Sequence, residues 1–207
     1  MQSATEHFIL ESREDCSIIH LISADRMNRL TLARVQALTI LIERLTEAAP
    51  TKPECKPLII TGNDEYFSVG ADLNEIAALA SSDAREFARH GQSFMNVVDH
   101  FPAPVYAAIS GYCMGGGLDL GLACDFRVCS ANAIFGHRGA ALGLITGWGG
   151  TQRLSDLVGQ ARALQMFVGA ERLQARDAQS IGLVCEIASN PLMRCLDLIA
   201  RRTAELD

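Results

Sequence analysis

Short apolar runs alternate along this chain with longer segments of helical spacing. Residues 16–22 (CSIIHLI) are rich in β-branched side chains and predict a buried strand. Over residues 31–48, Leu32, Val35, Leu38, Leu41, Ile42 and Leu45 fall on one face of a helix; Thr31 is placed to cap it, and Pro50 and Pro53 follow its end. Residues 57–61, centred on Leu58-Ile59-Ile60, predict a second strand, and TGNDEYFSVGAD after it (61–72) reads as a loop because Gly, Asn and Asp favour turns. A helix is predicted over 82–100, stopping before Pro102 and Pro104. Residues 104–109 (PVYAAI) predict a third strand, which runs into a glycine-rich turn at 111–117 and an apolar helix beginning LDLGLAC. Residues 125–130 predict a fourth strand and 133–135 a short fifth. Helical spacing returns from Gly149 to Val158, over 161–168, and from Pro191 to the end at Asp207. Strands that alternate with helices predict an α/β fold with parallel or mixed pairing. No internal repeat or low-complexity linker interrupts the pattern.

A length of 207 residues suits one domain, read as a core over 1–190 and the start of a C-terminal helical segment over 191–207. With 49% hydrophobic and 20% charged residues the chain has the means to bury a core, which excludes a disordered or low-complexity protein. Eighteen Lys and Arg against 24 Asp and Glu leave a net charge of −6, which argues against a nucleic-acid partner. The seven cysteines are odd in number, lack a Cys-x-x-Cys pair and mostly sit in apolar runs. They suggest a reducing compartment and no zinc site. His7, His20, His90 and His100 lie on different predicted elements and suggest no metal cluster. The opening MQSATEHFILESRED is not a secretory signal, and the apolar runs break before the roughly 18 residues of a membrane span. The expectation is a soluble, cytoplasmic protein with no membrane partner.

The informative chemistry lies in two glycine-bearing turns, Ser68-Val69-Gly70-Ala71-Asp72 and Gly115-Gly116-Gly117, each after an apolar strand. Small residues leave backbone N–H groups approachable, and the second turn opens a helix whose first amides are free. Two backbone donors from separate loops are how a protein builds an oxyanion hole for a carbonyl that gains negative charge. The competing reading is that the glycines permit tight helix–strand packing. A P-loop, a Rossmann fingerprint and a G-x-S-x-G elbow are all absent.

The run from Ile109 to Leu154, ISGYCMGGGLDLGLACDFRVCSANAIFGHRGAALGLITGWGGTQRL, with YFSVGADLNEIA before it, resembles the crotonase superfamily of enoyl-CoA hydratases and isomerases. The resemblance extends to Asn28-Arg29-Leu30 and to ARDAQSIGLVCE near the C-terminal end. It implies a ClpP/crotonase-like α/β spiral of ββα units, here with a shortened C-terminal helical part, assembled as a homotrimer or a hexamer. It implies an acyl-CoA thioester whose carbonyl lies between the amides of Ala71 and Gly116, with an enolate as the shared intermediate. No separate cofactor is implied, since coenzyme A enters as part of the substrate. The CoA contacts would fall on Val69, Gly70, Ala71, Asp72, Leu73, Gly115 and Gly116.

Two departures bear on the reaction. The family hydratases place two glutamates around the substrate; the first position is Asp119 here and the second is Gly139. The acid–base pair is thereby reduced to one shorter carboxylate. An Asp used by some members eight residues beyond the second position is Gly147 here. Asp119 is the surviving candidate acid/base, and His137, Arg138 and Trp148 are candidates for the acyl pocket. Family members with Gly at the second position, the dihydroxynaphthoyl-CoA synthases, recruit bicarbonate into the vacated space. Others decarboxylate larger acyl groups. Alternative readings are therefore a decarboxylase or other enolate-forming enzyme, a catalytically weak acyl-CoA binding protein, and, least favoured by the charge, an RNA binder.

Overall fold

The parallel strands of this protein come in pairs, the first of each pair joining one sheet and the second another. The computed structural model describes residues 2–48 and 55–204; Pro50, Pro53 and Asp207 lie outside them. An antiparallel hairpin, β1 (Gln2–Ala4) and β2 (Phe8–Ser12), leads into β3 (Ser17–Leu21). Helix α1 (Leu32–Glu47) follows, with the Thr31 hydroxyl accepting from the Arg34 amide at 3.2 Å as its cap. Then come the pair β4 (Leu58–Thr61) and β5 (Tyr66–Ser68), short α2 (Leu73–Ala78) and α3 (Ala84–Asp99). The pair β6 (Val105–Ile109) and β7 (Tyr112–Met114) leads to α4 (Gly116–Ala123). The pair β8 (Phe126–Cys129) and β9 (Ile134–Gly136) leads through a 3-10 turn to α5 (Gly150–Val158) and α6 (Gln160–Val168). Short β10 (Leu173–Gln174), α7 (Ala175–Ser180), β11 (Glu186–Ile187) and α8 (Pro191–Ala204) complete the fold.

The large sheet has the order β1-β2-β3-β4-β6-β8-β11, parallel from β3 onward. The small sheet runs β10-β9-β7-β5, with β5, β7 and β9 parallel. Three successive ββα turns thus wind into a spiral of two layers. Segment 61–72, expected as a loop, contains β5: Tyr66–Ser68 pairs with β7, and the Tyr66 and Tyr112 rings stack at 5.6 Å. A three-residue strand made by distant pairing leaves no periodic signal of its own.

Strict alternation within β6 assigns its two faces. Val105, Ala107 and Ile109 enter the main core with α1, α3 and α4, whereas Tyr106 and Ala108 meet Cys195, Leu196 and Ile199 of α8. Strands covered on both faces read as continuous apolar runs, as the sequence shows. No helix among the described residues is long and apolar enough to cross a membrane.

Candidate active site

Two strand-to-helix turns meet at the end of the small sheet. Gly70 has φ +88°, and a Cβ there would lie 2.6 Å from the Gly116 amide nitrogen and 2.6 Å from the Met114 carbonyl. Only glycine satisfies both the left-handed backbone and the approach. A Cβ on Gly116 would in turn sit 3.3 Å from the Ala71 nitrogen, so the Ala71 and Gly116 backbones are neighbours. Among the described residues neither amide has an acceptor in the loop and cap hydrogen bonds, and Gly116 is the first residue of α4, where helix geometry leaves N–H groups free. The packing role of the glycines is equally real: a Cβ on Gly117 would come within 2.4 Å of the Ser68 carbonyl. Close packing and free amides are one feature here.

The first turn is held from below by Asn28, a fully buried side chain with φ 51°. Its Nδ2 donates to the Tyr66 and Phe67 carbonyls at 3.0 and 3.2 Å, and its own carbonyl accepts from the Ser68 hydroxyl at 2.7 Å. That hydroxyl accepts from the Gly70 amide, while the Leu30 amide donates to the Gly70 carbonyl. Of the proposed CoA contacts, Val69, Ala71 and Asp72 are half-buried and Leu73 is exposed. Asp72 also caps α2 by accepting from the Asn74 and Glu75 amides, and Glu75 accepts from the Leu32 amide of α1 at 2.8 Å.

Asp119 lies in the first turn of α4, 1% exposed. Its Oδ2 accepts from the Thr146 hydroxyl, and its Oδ1 is 2.9 Å from Nε2 of His137, itself 4% exposed. The two atoms are close but outside hydrogen-bond alignment, so each is a buried polar atom without an aligned partner. A Cβ on Gly150 would fall 1.9 Å from Asp119 Oδ1, so the bare first residue of α5 makes the room this carboxylate occupies.

Beside this group opens a cavity of about 420 Å³, walled by His137, Gly139, Thr146, Ile145, Leu164 and Phe167 among others. The His137 ring lies 5.1 Å from the Phe167 ring. Asp119 itself does not form part of the wall. Gly139 does, but the direction its side chain would take is filled, because a Cβ would meet the Leu144 carbonyl at 2.7 Å. The vacated space expected at this position is therefore occupied by backbone. Arg138 is exposed and outside the wall. Trp148 is 4% exposed and covers Gly116 and Gly91, with its ring 5.5 Å from Phe87. It packs the back of the glycine turn rather than the cavity.

Sequence reading missed Thr146, Gly150 and Asn28 as parts of this assembly. All three stand inside segments that carried the resemblance, but nothing local marks their roles, and a hydroxyl in a loop such as that of Thr146 reads as solvated. Burial raises the thiols of Cys16, Cys124, Cys129 and Cys195 from 9.0 to about 12, and that of Cys113 well above its ordinary value. Each is thus held as a neutral thiol rather than a thiolate nucleophile. Among the described residues no group of three or more His, Cys, Asp and Glu is arranged to hold a metal ion.

A spiral of ββα units that brings two glycine turns together beside a buried carboxylate defines a crotonase-type fold. The chain belongs to the enoyl-CoA hydratase/isomerase family, whose sequence profile matches residues 13–201. It is 36% identical over 185 residues to a crotonyl-CoA hydratase of Syntrophomonas wolfei, an alignment covering 89% of this chain and 70% of that protein. Its structure is similar to that of DspI from Pseudomonas aeruginosa, with TM-score 0.88, 34% identity and coverage of 95% and 80%. It is also similar to an enoyl-CoA hydratase from Bacillus anthracis, with TM-score 0.82, 31% identity and coverage of 97% and 74%.

Proposed function

We propose that this protein converts enoyl-CoA thioesters by hydration or double-bond isomerisation through a thioester enolate. The observation that carries this reading is the meeting of the Ala71 and Gly116 backbones, with both amides free, next to the buried Asp119 group. In either reaction an electron pair moves onto the thioester oxygen, and two fixed amides stabilise the charge there. One such donor is worth roughly 2.7–4 kcal/mol. Asp119 anchors the acid–base centre at the position where the family carries its first carboxylate. The 420 Å³ apolar cavity beside it takes the acyl group, and the turn from Val69 to Leu73 takes the CoA moiety. The reading includes assembly as a homotrimer or a pair of trimers, which covers the exposed apolar rim of the cavity.

Turnover of crotonyl-CoA, followed by loss of the enoyl absorbance, tests the proposal for the native protein beside Asp119→Ala. We expect measurable hydration, reduced by a factor on the order of 100 or more in the variant. If the native protein converts neither 2-enoyl- nor 3-enoyl-CoA esters, the catalytic reading fails. Tight binding without conversion would then leave an acyl-CoA binding protein.

A further inference from the structure

Resting on that reading, we propose that the imidazole of His137, and not the carboxylate of Asp119, is the group that exchanges protons with the acyl chain. Asp119 and Thr146 are then its positioning residues. Four observations separate the two candidates. Both oxygens of Asp119 are buried inside the protein, Oδ2 accepting from the Thr146 hydroxyl and Oδ1 lying 2.9 Å from His137 Nε2 without an aligned hydrogen bond. Asp119 forms no part of the cavity wall, whereas His137 does. His137 Nε2 and Asp119 Oδ1 are buried without an aligned partner, so a small rotation of the ring completes a charge-assisted hydrogen bond. Nδ1 of the same ring takes no hydrogen bond among the described residues, and the ring faces a space walled chiefly by apolar side chains.

This arrangement replaces two carboxylates by one relay. In hydration, the imidazole takes a proton from water as the water oxygen bonds to the β-carbon. The π-electron pair moves to the thioester oxygen, giving the enolate held by the Ala71 and Gly116 amides. The imidazolium then returns a proton to the α-carbon as the enolate pair closes back, so that one molecule of water is added in all. In isomerisation the same nitrogen removes a proton from one carbon and returns it to another. Asp119, facing the ring, stabilises the imidazolium formed between the two steps. A neutral amide at position 137 would fill the space and bind Asp119 but carry no proton.

Three measurements test the assignment. In His137→Gln we expect kcat for crotonyl-CoA to fall on the order of 100-fold while KM stays within about threefold, the pattern of a lost proton carrier rather than a lost binding contact. In His137→Ala, added imidazole should restore part of the lost rate, which a merely structural histidine would not permit. The native protein gives a test that no folding defect obscures. Diethyl pyrocarbonate should modify His137 in the free protein, and saturating butyryl-CoA should protect it, while the exposed His100 reacts equally with and without the ester, as peptide mapping would show. A kcat within about threefold of native in His137→Gln overturns the proposal. So does a His137 that resists modification in the free protein, or one that bound butyryl-CoA leaves unprotected. A protein that neither binds nor converts any CoA thioester overturns the proposed function itself, and this inference with it.

Discussion

The room around Asp119 is made by what its neighbours lack. Gly150 has no side chain, and a methyl there would lie 1.9 Å from Oδ1. Gly150→Ala should therefore push the carboxylate out of line with His137. We expect a loss of about 1–3 kcal/mol in stability from overpacking, together with a loss of turnover similar to that of Asp119→Ala. Denaturant unfolding and the crotonyl-CoA assay would check both, and native turnover in Gly150→Ala would contradict the placement of Asp119. The opposite substitution is as informative. Gly139→Glu restores a family glutamate in sequence but sets its Cβ against the Leu144 carbonyl at 2.7 Å. We expect it to leave turnover unchanged or lower, and a gain would show that the 139–144 segment yields readily. Single residues thus decide how the proposed acid–base group is aligned.

Among the elements, the most consequential support is the strand β5 and the turn that follows it. Their position depends on Asn28, whose buried amide ties the segment after β3 to the Tyr66 and Phe67 carbonyls. Asn28→Ala leaves those carbonyls short of a donor and removes a residue type that tolerates a left-handed backbone. We expect it to cost about 1–3 kcal/mol and to raise KM and lower kcat together, because the Ala71 amide loses its fixed position. Hydrogen exchange at Phe67, Ser68 and Val69 should rise in the variant; unchanged protection would place the support elsewhere. The same elements show what a sequence makes legible. Helix α1, the long α3 and the central strands were readable because each buries a periodic or continuous apolar set such as Val35, Leu38 and Ile42. Strands β5 and β7 were not, because three residues carry no period and their partners are distant in sequence. Ala71, Gly116 and Asp119 could be singled out as candidates through the motifs around them. Thr146 and the His137–Asp119 contact arise from chain segments that only the fold brings together.

At the scale of the whole molecule, two bulk properties follow from burial. Six of the seven cysteines are buried and Cys185 is exposed, so a thiol reagent should label Cys185 first and the rest only on unfolding. Several buried thiols have folded-state pKa values near 12 against 9.0 for free thiols. Between those values the unfolded chain releases protons that the folded chain retains, so stability should fall as pH rises from 9 toward 12. A urea midpoint that stays flat from pH 8 to about 10.5 would contradict this. The second property is the apolar rim: Leu144, Ile145, Leu164 and Val168 line the cavity and are 40, 72, 63 and 71% exposed. Apolar side chains grouped at a cavity mouth mark an interaction surface. We expect sedimentation to report a trimer or hexamer and Ile145→Asp with Leu164→Asp to dissociate it. A monomeric native protein at high concentration would refute the assembly.

The central claim, that the Ala71 and Gly116 amides converge on a thioester carbonyl, has a direct test that does not depend on turnover. Infrared difference spectra of butyryl-CoA labelled with carbon-13 at the carbonyl report the strength of hydrogen bonding to that oxygen. The account predicts a carbonyl stretch lowered on binding to the native protein, and a smaller shift in Gly70→Ala, where the added methyl would meet the Gly116 amide at 2.6 Å. A saturated complex whose carbonyl frequency matches that of free butyryl-CoA in water would contradict it.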